Sequence, residues 1–127
     1  RELEIERDRM VAKKEVAKAV ETSPYESIVV LYENFPFEEA LYDYPHILFV
    51  VSPRLDGTWR VAGVQKERGS FELRKTLPQS WAGLRGQALQ IMTGEPKARF
   101  CHRALFLAVA EDKETALRLA KKALILE

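Results

Sequence analysis

Apolar residues recur with two different periods along this chain, and the switches between them outline the elements. Residues 1–22 place Ile5, Ala12, Val16, Ala19 and Val20 at helical spacing with charge on the other side, the pattern of an amphipathic helix. Thr22-Ser23-Pro24 ends it, because proline disfavours helical geometry in the residue before it. Ser27 to Tyr32 is apolar and rich in β-branched side chains, which predicts a strand. Phe37 to Tyr44 predicts one or two helical turns, with Phe37, Ala40 and Leu41 on one side and Pro45 as the stop. Ile47 to Ser52 is apolar on both faces, as expected of a strand in the middle of a sheet. Asp56-Gly57 favours a hairpin after it. Thr58 to Gln65 then returns as a strand, with Trp59, Val61 and Gly63 alternating with Arg60, Ala62 and Val64.

Lys66 to Leu77 is polar and irregular. A helix is predicted from Leu77-Pro78-Gln79-Ser80-Trp81 to about Met92, burying Leu84, Ala88, Leu89 and Met92, with Gly94 as a left-handed cap. Ala98 to Ala108 reads as a strand or a strand pair. Asp112 suits the N-cap of a last helix that buries Ala116, Leu119, Ala120 and Ala123. The order predicts an α/β (α+β) domain, a single mixed sheet of about four to five strands with flanking helices.

At 127 residues the chain is one domain's worth. The lone Cys101 excludes an internal disulfide and fits a reducing compartment, so a cytoplasmic location is expected. Neither a signal-peptide pattern nor an apolar run of roughly 20 residues is present, so no membrane partner is expected. The net charge of +1 argues against a strongly basic nucleic-acid protein. The distribution is uneven: residues 24–56 carry net −5 and residues 57–103 carry net +6. Either these stretches face each other across the fold, or the basic one meets an anion.

His46, His102 and Cys101 give no zinc-ligand spacing, and no phosphate-cradling glycine motif occurs. Neighbouring Cys101 and His102 would point to opposite sides of a strand, so they form no nucleophile pair, and Cys101 reads as core. No catalytic residue and no cofactor is assigned to this chain, and no independent enzyme is expected from it. The candidates are for binding. Arg60, Arg74 and Arg85 stand in the basic stretch, where arginines outnumber lysines, and a planar guanidinium suits phosphate oxygens. His102 reads either as a hydrogen-bonded structural residue or as a contact to ligand. Trp59 and Trp81 read either as core or as stacking platforms.

Gly57-Thr58-Trp59-Arg60-Val61, Ser70-Phe71, Arg74-Lys75-Thr76-Leu77-Pro78, Trp81-Ala82-Gly83-Leu84-Arg85, Thr93-Gly94 and Phe100-Cys101-His102 together resemble the C-terminal part of the family named for the melanocyte proliferating gene. Phe35 to Leu41 and the final helix extend the likeness to about Ser27–Leu126. The resemblance implies membership of the DHH phosphoesterase superfamily. In such proteins an N-terminal domain holds a divalent metal, manganese or magnesium, and acts as a phosphodiesterase or 3′–5′ RNA exonuclease. By that likeness residues 1–23 are a connecting helix and residues 24–127 a DHH-associated, substrate-binding C-terminal domain. Arg60, Arg74, Trp81, Arg85 and His102 then form its phosphate-holding face. The implied partners are the metal domain, in the same or a separate chain, single-stranded RNA or a nucleotide, and a second copy in a homodimer. One departure is that Ala108-Val109-Ala110 stands where the family has a glycine pair. The alternative is a structural or dimerisation module that binds no nucleic acid.

Overall fold

The computed structural model describes residues 14–23, 25–32, 41–42, 44–66 and 72–125. Five strands form one mixed sheet: β1 Ile28–Val30, β2 Phe49–Pro53, β3 Trp59–Gly63, β4 Ala98–Cys101 and β5 Leu107–Ala110. Their spatial order is β1-β2-β3-β5-β4, with β1 parallel to β2 and every other pair antiparallel. The helices are α1, described over residues 14–22, α2 Gln87–Thr93 and α3 Lys113–Ile125, with a 3-10 turn at Gln79–Trp81. The predicted mixed sheet with flanking helices is therefore present. The expected helical positions in 1–13 and 37–40 lie outside the described residues.

Alternation along the strands divides the core in two. Ile28, Phe49, Val51, Val61, Ala108 and Ala110 face Ala116, Leu119, Ala120 and Ala123 of α3, together with Leu89 of α2 and Trp81. On the other face Val29, Leu31, Val50, Ala62 and Val64 pack with Val16 of α1, beside Ala19 and Val20. The first helix thus joins the fold through its apolar stripe. β2 is buried on both sides because helices cover both of its faces, as its unbroken apolar run requires.

The local signals place several boundaries. Asp112 Oδ1 accepts the Thr115 N–H at 2.8 Å, closing the N-terminus of α3. Gly94 sits at φ 74° and its N–H reaches Gln90 O, the left-handed cap that ends α2. In the β2–β3 hairpin Asp56 Oδ1 accepts the Thr58 N–H and Gly57 takes φ 89°.

The predicted helix from Leu77 to Met92 is not continuous. The chain leaves the 3-10 turn at Trp81, and Leu84-Arg85-Gly86 lies along β4: Cys101 N–H donates to Leu84 O, Gly86 N–H donates to Arg99 O, and Arg85 bridges to Phe100. Gly86 takes φ 58°, a conformation that turns the chain out of this bridge into α2 and costs glycine little. Because α2 begins only at Gln87, Ala88 and Met92 face solvent, while Leu89 and Thr93 are buried. The polar stretch after β3 also pairs, through a Gln65–Leu73 bridge and the bonds Lys66 N–H to Glu72 O and Arg74 N–H to Val64 O.

Candidate phosphate-binding face

The strand register brings two of the sequence-predicted residues into line. Ser52 pairs with Arg60, Arg60 with Val109, Val109 with Phe100, and Phe100 with Arg85. Directly opposed residues share a sheet face, so Arg60 and Arg85 stand on the same side, about 14 Å apart at three strand spacings. One row further along are Ala62, Leu107 and His102, whose N–H donates to Leu107 O at 2.8 Å. The β1–β2 half of this face lies under α1. Its β5–β4 half is more open: Phe100 and Leu107 are half-buried, while Arg85 and His102 are exposed.

Arg60 is steered by its neighbour across the hairpin, since its Nε donates to the buried Ser52 Oγ at 2.9 Å. His102 opens the β4–β5 turn, where its Nδ1 accepts the Ala104 N–H at 3.0 Å and its ring lies 4.5 Å from that of Phe106. With Nδ1 used as an acceptor, the neutral ring carries its proton on Nε2, a donor outside this turn contact. Leu105 holds this turn at φ 64°, and its carbonyl accepts the Leu77 N–H at 3.0 Å, which ties the turn to the body of the fold. Arg103, in the same turn, is exposed, and Arg99 pairs with Glu111 at 3.1 Å.

The other two predicted residues sit elsewhere. Arg74 donates through one terminal nitrogen to Tyr44 O and Ile47 O, at 2.8 and 2.9 Å, and through the other to Leu41 O at 2.9 Å. Three carbonyls occupy the guanidinium, which works as a clamp on the segment entering β2. Burial pulls its pKa below the ordinary value, and it remains cationic. Trp81 is 1 % exposed, inside the core on the opposite side of the sheet from Arg60 and Arg85. Its ring is packed by side chains, which leaves no face open for stacking.

Cys101 and His102 do point apart: the thiol is buried and the imidazole exposed. Burial pushes the thiol up to about 11, so it is neutral and a poor nucleophile near pH 7. Among the described residues no group of three or more His, Cys, Asp or Glu is placed to hold a metal ion. Glu95, a buried carboxylate, accepts bonds from Arg118 Nε at 2.8 Å and Lys122 Nζ at 2.7 Å. Burial alone would raise its pKa, but these two cations hold it below the ordinary carboxylate value. It fastens the end of α2 to α3, and the sequence offered no signal for it beyond a carboxylate after Gly94.

Alternation alone could have separated Arg60 and Trp59 onto opposite faces. It could not have revealed the Arg85–Phe100 bridge, which depends on where the chain leaves Trp81.

The comparisons concern nearly the whole sequence. The family model MYG1_exonuc, described as "Uncharacterised protein family (UPF0160)", matches residues 3–124. The MYG1 exonuclease of Homo sapiens is 32% identical over 124 residues, which are 91% of this chain and 33% of the human protein. The MYG1 protein of Saccharomyces cerevisiae is 36% identical over 104 residues, 76% of this chain and 31% of the yeast protein. The MYG1 exonuclease of Rattus norvegicus is 40% identical over 78 residues, 61% of this chain and 20% of the rat protein. The chain thus spans a third or less of the length of these relatives. No solved structure matches it. No helix among the described residues is long and apolar enough to cross a membrane.

Proposed function

The chain belongs to the MYG1 exonuclease family, and from that premise we propose that it holds the sugar-phosphate backbone of a single-stranded RNA substrate for a metal-dependent phosphodiesterase of the DHH type. The bond-breaking groups and their divalent metal, manganese or magnesium, are assigned to a separate N-terminal domain, with this chain as the accessory C-terminal part. The observation that carries this reading is the alignment of Arg60 and Arg85 on one sheet face beside His102. Two arginines whose backbones stand about 14 Å apart by strand spacing suit phosphates more than one nucleotide apart along a strand, each through charge-assisted bonds. Phe100 and Leu107 between them offer apolar ground for sugars or bases. The His102 Nε2–H adds a donor at the edge. Trp81 and Arg74 serve the reading indirectly: one fills the core beneath β4, and the other fixes the segment that leads into β2.

Titration of the chain with a labelled single-stranded RNA at several salt concentrations tests this. Binding should weaken with salt at a slope of roughly 0.7 per phosphate neutralised. Arg85→Ala and Arg60→Ala should each flatten that slope by about one contact. A salt-independent affinity, or one that neither variant changes from wild type, would overturn the reading.

A second reading, a docking or dimerisation module, draws on one observation. Ile91 and Met92, successive residues of α2, are 75% and 51% exposed. Sedimentation of the wild type beside Ile91→Asp decides it: a dimer that the variant dissociates supports that reading.

A further inference from the structure

The opposite edge of the sheet is lined by a different set of side chains. β1 is a terminal strand, and two adjoining hollows of about 220 and 230 Å³ flank it, sharing Thr22, Val30 and Tyr32 in their walls. Tyr32 is 69% exposed among the described residues, high for an aromatic ring. Its ring stands edge-on to Trp59 at 6.2 Å. The Lys113 ammonium lies 5.1 Å from the Tyr32 ring centre and donates to its hydroxyl at 3.4 Å.

β1 contributes Val30 to the walls of both hollows. Leu31 N–H bonds to Val51 O on the β2 side. Alternation along a strand therefore turns the N–H and C=O of Val30 to the side away from β2, where no described strand pairs with it. That edge offers one donor and one acceptor side by side, the complement of a nucleobase edge. Lys18 lines one hollow and Lys113 the other, while Glu15 lies only in the hollow away from Lys113. An anion is therefore favoured at the Lys113 end.

We propose that this furrow binds a nucleotide. The base stacks on Tyr32 and is read by the Val30 N–H and C=O, and the phosphate is met by Lys113. Stacking suits any base, since every base has a π face, and the backbone pair adds a preference among them. A free nucleotide and one unit of a longer strand share the required chemistry. This site rests on its own geometry and does not depend on the arginine face.

Calorimetric titration of the full chain with adenosine monophosphate and, separately, with a short oligoadenylate tests it. Trp59 emission is followed in parallel, because that indole touches Tyr32. Tyr32→Ala should weaken binding by about 5- to 100-fold, the range expected for one stacked base, Tyr32→Phe should retain it, and Lys113→Ala should weaken it with a loss of salt sensitivity. Saturation by the mononucleotide assigns a free-nucleotide site, and saturation only by the oligomer assigns a strand-anchoring site. Mononucleotide binding that responds to Arg85→Ala but not to Tyr32→Ala would place the nucleotide on the arginine face and overturn the proposal. Binding of neither ligand, or equal affinities for wild type and Tyr32→Ala, would overturn the proposal. Saturable binding only of an extended peptide, through the same Val30 groups, would also overturn it in favour of strand addition.

Discussion

Arg74 and Arg85 are eleven positions apart in one basic stretch and do opposite things. The first spends its hydrogen-bonding capacity on Leu41, Tyr44 and Ile47 carbonyls. The second stands exposed on a sheet face. The same division separates the two sides of the sheet. The side under α2 and α3 is closed by Trp81, Leu89 and Leu119, whereas the β5–β4 half of the other side keeps exposed and half-buried residues. Positive charge in the sequence is thus a poor guide to positive charge on offer. What decides is whether backbone carbonyls already surround the guanidinium.

Four measurements break or sharpen that contrast. Trp81→Ala should cost about 3–5 kcal/mol in denaturant unfolding, the usual penalty for emptying a large core position; a loss of RNA binding without a loss of stability would instead make Trp81 a contact residue. Arg74→Ala should cost about 2–3 kcal/mol, because it strips several charge-assisted bonds and leaves buried carbonyls poorly satisfied. Arg74→Lys should recover only part of this, since one ammonium cannot reproduce the two-armed fork.

Cys101 gives a pH test. Its thiol is raised from 9.0 to about 11 by burial. The neutral thiol's contribution is therefore complete below the unfolded pKa and is lost as pH rises towards the folded one. Between pH 9 and 11 the wild type should lose about 2–3 kcal/mol relative to Cys101→Ala, at 1.36 kcal/mol per unit. Equal pH profiles would mean that the thiol reaches water. The smallest effect is expected of Arg85→Ala, within about 0.5 kcal/mol by thermal unfolding, while its salt slope for RNA falls. A large stability loss there would place Arg85 in the same class as Arg74.

The features that could be read in advance are those settled within a few residues. Asp112 and Gly94 cap their helices through bonds to Thr115 and Gln90, so local chemistry sufficed. The double-sided apolar run of β2 likewise announced cover on both faces. Arg74 escaped because its partners lie 27 to 33 positions away. The helix drawn through residues 77–92 failed for the same reason. Leu84 and Gly86 find their bonds on β4, and a periodicity of apolar residues carries no record of a competing strand. The family likeness located a set of residues in this stretch but could not sort packed from exposed.

The register that aligns Arg60 with Arg85 has a kinetic corollary. Arg60 belongs to the β2–β3 hairpin, and Arg85 is attached to the β4–β5 hairpin through Phe100. Hairpins close on the microsecond scale, whereas joining β3 to β5 must bring distant parts of the chain together and is slower. Neither half carries both arginines. On the function proposed above, RNA affinity should therefore return during refolding with this last seam, later than the hairpins themselves. A chain still in pieces would have its charges but not their spacing.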